Sequence, residues 1–138
     1  MDTAIVVALI ALATSIIVTA LSAYLSKMSE IKVEWQRKKI VHYQKLLTAM
    51  SDMAMQGRDQ VDAKTRFSEA VNTITLIAGQ PVIAALMELC DFIMISNHSK
   101  TQERHNELIR NLMLEIRKDI GLIKNDDEHS FDFRFVQP

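Results

Sequence analysis

The chain is poor in the residues that cross-link a fold or punctuate it with turns. It contains one cysteine, three glycines and two prolines in 138 residues. A single cysteine, Cys90, excludes an internal disulfide and is consistent with a reducing compartment. Strand-rich domains usually need more glycine and proline at their turns. The dominant residues are mostly good helix formers, so the sequence predicts an all-α protein.

A long segment near the start of the sequence carries no charge. Thr3 to Leu25, TAIVVALIALATSIIVTALSAYL, contains no charged side chain. A helix of this length spans about 34 Å at a rise of ~1.5 Å per residue, and the hydrocarbon core of a bilayer is about 30 Å thick. A helix also satisfies its own backbone hydrogen bonds inside lipid. The sequence therefore predicts a transmembrane anchor over residues 1–26.

Three alternatives to a single anchor remain open. A cleaved signal peptide is one, although Met1-Asp2 supplies no basic start and the ALS at residues 20–22 is a poor cleavage site. A buried helix of a soluble protein is another, but such helices are rarely apolar all round. The third concerns residues 72–87, which carry no charge. They are short for a second crossing, but a hairpin that dips into the membrane would fit.

The residues after the anchor are basic. Residues 27–45 carry six basic and two acidic side chains, a net charge of +4, and residues 46–138 have a net charge of −4. Because basic flanks stay in the cytoplasm, the sequence predicts an outside N-terminus and a cytoplasmic C-terminal domain. A basic collar beside a membrane suits anionic lipid headgroups better than nucleic acid. The side chains predicted to contact headgroups are Lys27, Lys32, Arg37, Lys38 and Lys39.

Apolar periodicity divides the rest of the chain into helices. A basic, amphipathic juxtamembrane helix is expected over 27–57, ending at Gly57, and a helical bundle over 58–124. Asp59 is a candidate N-cap of the second helix and Ser99 of the fourth. Gly79, in a left-handed conformation, and Pro81 are expected to separate the second and third helices. Three alternating phenylalanines favour docking of the tail, 125–138. The predicted architecture is one transmembrane helix continuing into a bundle of three to four helices.

The anchor carries a stripe of small residues. Ala11, Ser15, Thr19 and Ala23 are four residues apart and share one helix face. Small side chains allow transmembrane helices to approach closely, and hydroxyls add weak hydrogen bonds between them. The stripe predicts self-association or pairing with another membrane protein. A pore lined by hydroxyls is a sharper alternative, but no ionisable residue lies within the segment to mark an ion path.

The sequence contains no recognisable catalytic, metal or cofactor motif. Glu88 and Asp91 share a face of the apolar third helix, where burial would suit acid–base chemistry, but they also fit a polar edge. Cys90 lies within an apolar helical stretch and has no neighbouring base in the sequence. The histidines lack the tight spacing of zinc ligands. We therefore expect no catalytic residue, no metal, no cofactor and no enzymatic activity.

Three segments together resemble a known type of protein. They are WQRKKIVHYQKLL after the anchor, ITLIAGQPVIAALMELCDFI in the middle of the chain, and LIRNLMLEIRKDIG in the last helix. The chain is similar over most of its length to small bacterial proteins with an N-terminal membrane anchor and a helical domain. That group has no assigned activity, so no functional residue is carried over. The resemblance implies a bacterial inner-membrane setting and, for some such proteins, phage-defence or stress roles.

These patterns favour a binding function. We expect a single-pass, membrane-anchored interaction or scaffold module that associates with itself and holds a cytoplasmic protein partner at the membrane. Its expected partners are the lipid bilayer, a second copy or another membrane protein, and a cytoplasmic protein, with no nucleic acid. The alternative is a membrane-perturbing effector, such as a toxin or a pore subunit.

Overall fold

The computed structural model consists of helices joined by short connections. It describes residues 2–55, 59–94, 101–121, 126–127 and 129–133. In chain order the helices are α1 (Thr3–Ala54), α2 (Gln60–Ile77), α3 (Gln80–Met94) and α4 (Gln102–Asp119). The prediction of an all-α protein with a long apolar N-terminal helix followed by further helices is confirmed.

Helix α1 is continuous over 52 residues. The first glycine or proline in the sequence is Gly57, so nothing before it breaks the intrahelical hydrogen bonds or clashes with the preceding turn. Contacts divide the chain into two compact units, Met1–Arg37 (the N-terminal unit) and Lys38–Pro138 (the C-terminal unit). The predicted boundaries at residues 26, 57 and 124 stay predictions.

The helix ends agree only in part with the expected caps. Asp59 caps α2 as predicted, because its Oδ1 accepts hydrogen bonds from the backbone N–H of Val61 at 3.0 Å and of Asp62 at 3.3 Å. The cap of α4 is Thr101, whose Oγ1 accepts from Arg104 N at 3.3 Å, so the prediction of Ser99 was wrong. Ser99 itself and the predicted stop at Gly57 lie outside the described residues.

The two glycines that limit helices have different roles. Gly121 follows α4 with a φ of 71°, the left-handed conformation that glycine adopts without steric cost. Gly79, between α2 and α3, does not take that conformation, and the expectation that it would was wrong. Gly79 is needed for space instead: a Cβ there would lie 2.7 Å from the Oδ1 of Asp119.

The hydrophobic core of the C-terminal unit draws on all four helices. Its largest completely buried side chains come one each from α1, α2 and α4 and three from α3. They are Leu46, Ile74, Val82, Leu86, Leu89 and Leu112. Burying one such side chain contributes about 1.5–3 kcal/mol, so this core is the main source of stability of the unit.

Part of the tail packs against the helices of the C-terminal unit. Phe133 is half-buried and packs against the core. Phe131 lies under the guanidinium of Arg117, whose Cζ is 5.3 Å from the ring centroid. The Nε of Arg117 also donates a hydrogen bond to Asp126 at 2.6 Å. The third alternating phenylalanine, Phe135, lies outside the described residues.

Candidate functional site

The N-terminal unit exposes its apolar side chains all around α1. From Ile5 to Leu25, the large apolar side chains that point outward are between 51% and 65% exposed. The most apolar stretch of α1 is 0% buried. The helix is long and apolar enough to cross a membrane or to form a signal sequence. Isolated exposed apolar residues are common on proteins, but a complete apolar cylinder is not. Such a surface is more stable in an apolar environment than in water.

The small-residue stripe lies on the exposed surface of this cylinder. Ala11, Ser15, Thr19 and Ala23 are all exposed. The hydroxyl of Thr19 donates to the carbonyl oxygen of Ser15 at 2.8 Å, and that of Thr14 donates to Ile10 in the same way. These bonds satisfy the hydroxyl protons within the helix. Thr19 is small enough for a neighbouring helix to approach closely. Its hydroxyl oxygen can accept a hydrogen bond from that helix, whereas its proton is already bonded within α1.

The predicted headgroup ligands fall into two groups. Lys27, Lys32, Arg37 and Lys38 are exposed. Lys39 is half-buried, and its Nζ lies 3.0 Å from the Oδ2 of Asp119. Headgroup contact stays a prediction for all five, and for Lys39 it requires exchanging one anionic partner for another.

The contacts of Asp119 form a junction within the C-terminal unit. Besides Lys39, its Oδ2 accepts a hydrogen bond from the hydroxyl of Tyr43 at 2.6 Å, and its Oδ1 accepts one from the backbone N–H of Gly79 at 3.2 Å. We call Lys39, Tyr43, Gly79 and Asp119 the Asp119 junction. Burial first, and then the bond to Asp119, raises the pKa of Tyr43, so the phenol stays protonated and donates.

The position of Asp119 explains why it needs several donors. It is the last residue of α4, where the carbonyl ends of the helix disfavour a carboxylate. An ammonium, a hydroxyl and an amide offset that cost and connect α1, the α2–α3 turn and α4. Sequence reasoning missed the junction because Asp119 is 40 to 80 residues from the three groups that contact it. The only local sign is an acidic residue at the wrong end of a helix.

The acidic pair on α3 is not a buried site. Glu88 is half-exposed and Asp91 is exposed, so both lie on the polar edge of the helix. The Oε1 of Glu88 accepts from Arg104 at 2.6 Å, and Arg104 also binds Glu107 at 2.7 Å. The burial that made the pair interesting for acid–base chemistry is lacking.

The cysteine and histidine side chains that the structure describes do not come together as ligands. Cys90 is buried, and burial followed by the charge of Asp91 raises the pKa of its thiol, which disfavours the reactive thiolate. His105 stacks on Phe92 with ring centroids 6.0 Å apart, and His129 is exposed. His98 lies outside the described residues. Among those that are described, no three His, Cys, Asp or Glu side chains form a group that fits a metal ion.

A groove of about 560 Å³ runs between α1 and α2 within the C-terminal unit. We call it the α1/α2 groove. Its lining includes alanine, threonine and charged side chains. The lining residues that matter below are Lys45, Ala49, Asp52, Arg66, Glu69 and Ala70. Their spacing on each helix was visible in the sequence, but their meeting across two helices was not.

Comparison of the chain with protein-family models, with curated proteins and with solved structures gives no match. The resemblance to small anchored helical proteins therefore stays a prediction. The surfaces of the two units are therefore the basis of the proposed function.

Proposed function

We propose that this protein is a single-pass, membrane-anchored scaffold that associates with itself and holds a cytoplasmic protein partner at the membrane. The observation that carries the proposal is the exposed apolar cylinder from Ile5 to Leu25. Transferring that surface from water to hydrocarbon is favourable by about 25 cal/mol per Å². The helical backbone satisfies its own hydrogen bonds there.

The charges after the cylinder support the orientation. Lys27, Lys32 and Arg37 follow the apolar segment in the sequence and are exposed. Basic residues near a membrane-spanning helix are retained in the cytoplasm. Each exposed lysine or arginine near an anionic leaflet adds about 1 kcal/mol of attraction. In a bacterium this corresponds to the inner membrane, with the C-terminal unit in the cytoplasm.

A binding role fits the C-terminal unit better than catalysis. The acidic pair on α3 is solvated and the thiol is buried with a raised pKa. By contrast, three large apolar side chains are strongly exposed: Val61 at 75%, Leu76 at 85% and Met94 at 74%. Exposed apolar side chains of this kind supply contact area to protein partners.

Replacing Ser15 and Thr19 by leucine is expected to reduce self-association of the anchor. Leucine side chains on the stripe separate the two helix backbones and remove their close packing. Cross-linking of the full chain in native membranes should then yield at least about threefold less dimer, which corresponds to the ~0.6 kcal/mol typical of one membrane helix contact. Ala13→Leu with Ala20→Leu adds the same bulk to another face and should leave the yield unchanged.

Equal yields from the stripe variant and its control would contradict association through the stripe. Induced expression with a membrane-potential dye separates the scaffold from a membrane-perturbing effector. The scaffold leaves the potential unchanged, whereas depolarisation by the parent protein would favour the effector.

A further inference from the structure

The α1/α2 groove lies between two antiparallel helices. Near the α1–α2 connection, Asp52 accepts a hydrogen bond from Arg66 at 2.9 Å. Far from it, Tyr43 and Gly79 both bind Asp119. α2 therefore runs back along α1, and the groove opens along this pair on the outer side of the C-terminal unit.

Small side chains lie at the middle of the groove. Ala49, which is buried, forms its floor and Ala70, which is half-buried, lines its α2 wall, and small side chains at such positions let another helix approach closely. At its far end, Val41 lines it and is 49% exposed. Leu76, which is 85% exposed, lies one turn beyond the lining residue Thr73 on the same side of α2. An occupant would bury both apolar side chains.

Two exposed charges of opposite sign, one on each wall, have no ion-pair partner within the described part of the chain. Lys45 lies on the α1 wall and Glu69 on the α2 wall, and both are exposed. Within the described part of the chain neither is in an ion pair, whereas Arg66 in the same groove binds both Asp52 and Asp62. A complementary surface must therefore present an acid opposite Lys45 and a base opposite Glu69.

We propose that the occupant is the same groove of a second copy. In a two-fold dimer each residue pair occurs twice, so α1 of each copy packs on α2 of the other and Lys45 of each meets Glu69 of the other. The surface is thus complementary to itself in charge, in small central residues and in exposed apolar ends. This deepens the self-association in the proposed function, because it gives the C-terminal unit its own dimer surface in addition to the anchor stripe.

Charge reversal tests the pairing in the full chain in native membranes. A Thr48→Cys reporter on the groove wall is treated with a bifunctional maleimide, and Ser68→Cys, exposed on another side of α2, is the matched reporter. The groove reporter should give several-fold more dimer.

Lys45→Glu or Glu69→Lys alone should lower the dimer yield of the groove reporter about tenfold, since like charges then face each other twice. Lys64→Glu and Asp91→Lys, exposed elsewhere, should leave it unchanged.

Mixing the two single variants gives the decisive result. A Lys45→Glu chain and a Glu69→Lys chain form two opposite-charge pairs with each other, so co-expression should restore the yield of the parent. Recovery also proves that both variants fold. The inference is overturned if the single variants cross-link like the parent, if mixing restores nothing, or if the two reporters give equal yields. The Ser15 and Thr19 variant tests the anchor separately, so the groove can fail while association through the anchor stands.

Discussion

Two lysines at the centre of the apolar cylinder, Leu12→Lys with Ile16→Lys, are expected to move the protein out of the membrane fraction. Leu12 is 60% exposed and Ile16 is 61% exposed, and they lie one turn apart near the middle of Thr3–Leu25. A lysine at the centre of a transmembrane helix costs about 3 kcal/mol, so the pair costs roughly 6 kcal/mol. That shifts the insertion equilibrium by about ten-thousand-fold. Sedimentation of membranes, followed by immunodetection, measures the distribution.

The matched control adds the same two charges to the C-terminal unit. Ser68→Lys with Asn72→Lys substitutes exposed polar residues four apart on α2. Both are solvated, so this variant should sediment with membranes like the parent protein. If the anchor variant also stays with the membranes, the apolar cylinder is not what holds the protein there.

Asp119→Ala is expected to destabilise the C-terminal unit by about 3 kcal/mol, because it leaves a buried hydroxyl and a half-buried ammonium without their acceptor. Tyr43 is only 3% exposed, so water cannot replace the lost bond fully. Alkylation of Cys90, the single cysteine, reports on unfolding because the thiol is buried in the native unit. The urea concentration at which alkylation becomes fast should fall clearly relative to the parent protein.

An exposed ion pair provides the control for the Asp119 junction. Glu88→Ala removes one of the two acidic partners of Arg104, which keeps Glu107, and should leave the alkylation profile close to that of the parent protein. Gly79→Ala should also destabilise the unit, because the added Cβ would lie 2.7 Å from Asp119 Oδ1. Its effect should be smaller in the Asp119→Ala background, since the clash partner is then missing. Equal alkylation profiles for Asp119→Ala and Glu88→Ala would contradict the role of the junction.

The sequence was sufficient for features that depend on local patterns. The absence of glycine and proline before Gly57 predicted one long helix, and α1 is continuous to Ala54. Asp59 was found as a cap because a carboxylate beside free backbone N–H groups acts within three residues. The failures at Ser99 and Gly79 are also local: two neighbouring residues compete for a cap, and a glycine is chosen for space rather than for its backbone angles.

Features that depend on tertiary structure could not be predicted in this way. Lys39 looked like part of a basic collar, and nothing near it in sequence indicates Asp119, 80 residues away. Lys45 and Glu69 likewise line one groove only because α2 folds back along α1, and their positions in the sequence do not indicate this. The small-residue stripe was identified from its spacing, and the basic residues from their position after the apolar segment. Their proposed partners lie outside the chain, so neither identification depended on tertiary structure.

Controlled proteolysis of intact spheroplasts, after alkaline extraction of a parallel sample, tests the central claim most directly. The account predicts that the chain resists extraction, retains Thr3–Leu25 by mass spectrometry, and has a C-terminal unit that protease reaches only after lysis. Release into the soluble fraction, loss of the apolar segment, or digestion of the C-terminal unit in unbroken spheroplasts would contradict a single-pass anchor with a cytoplasmic domain.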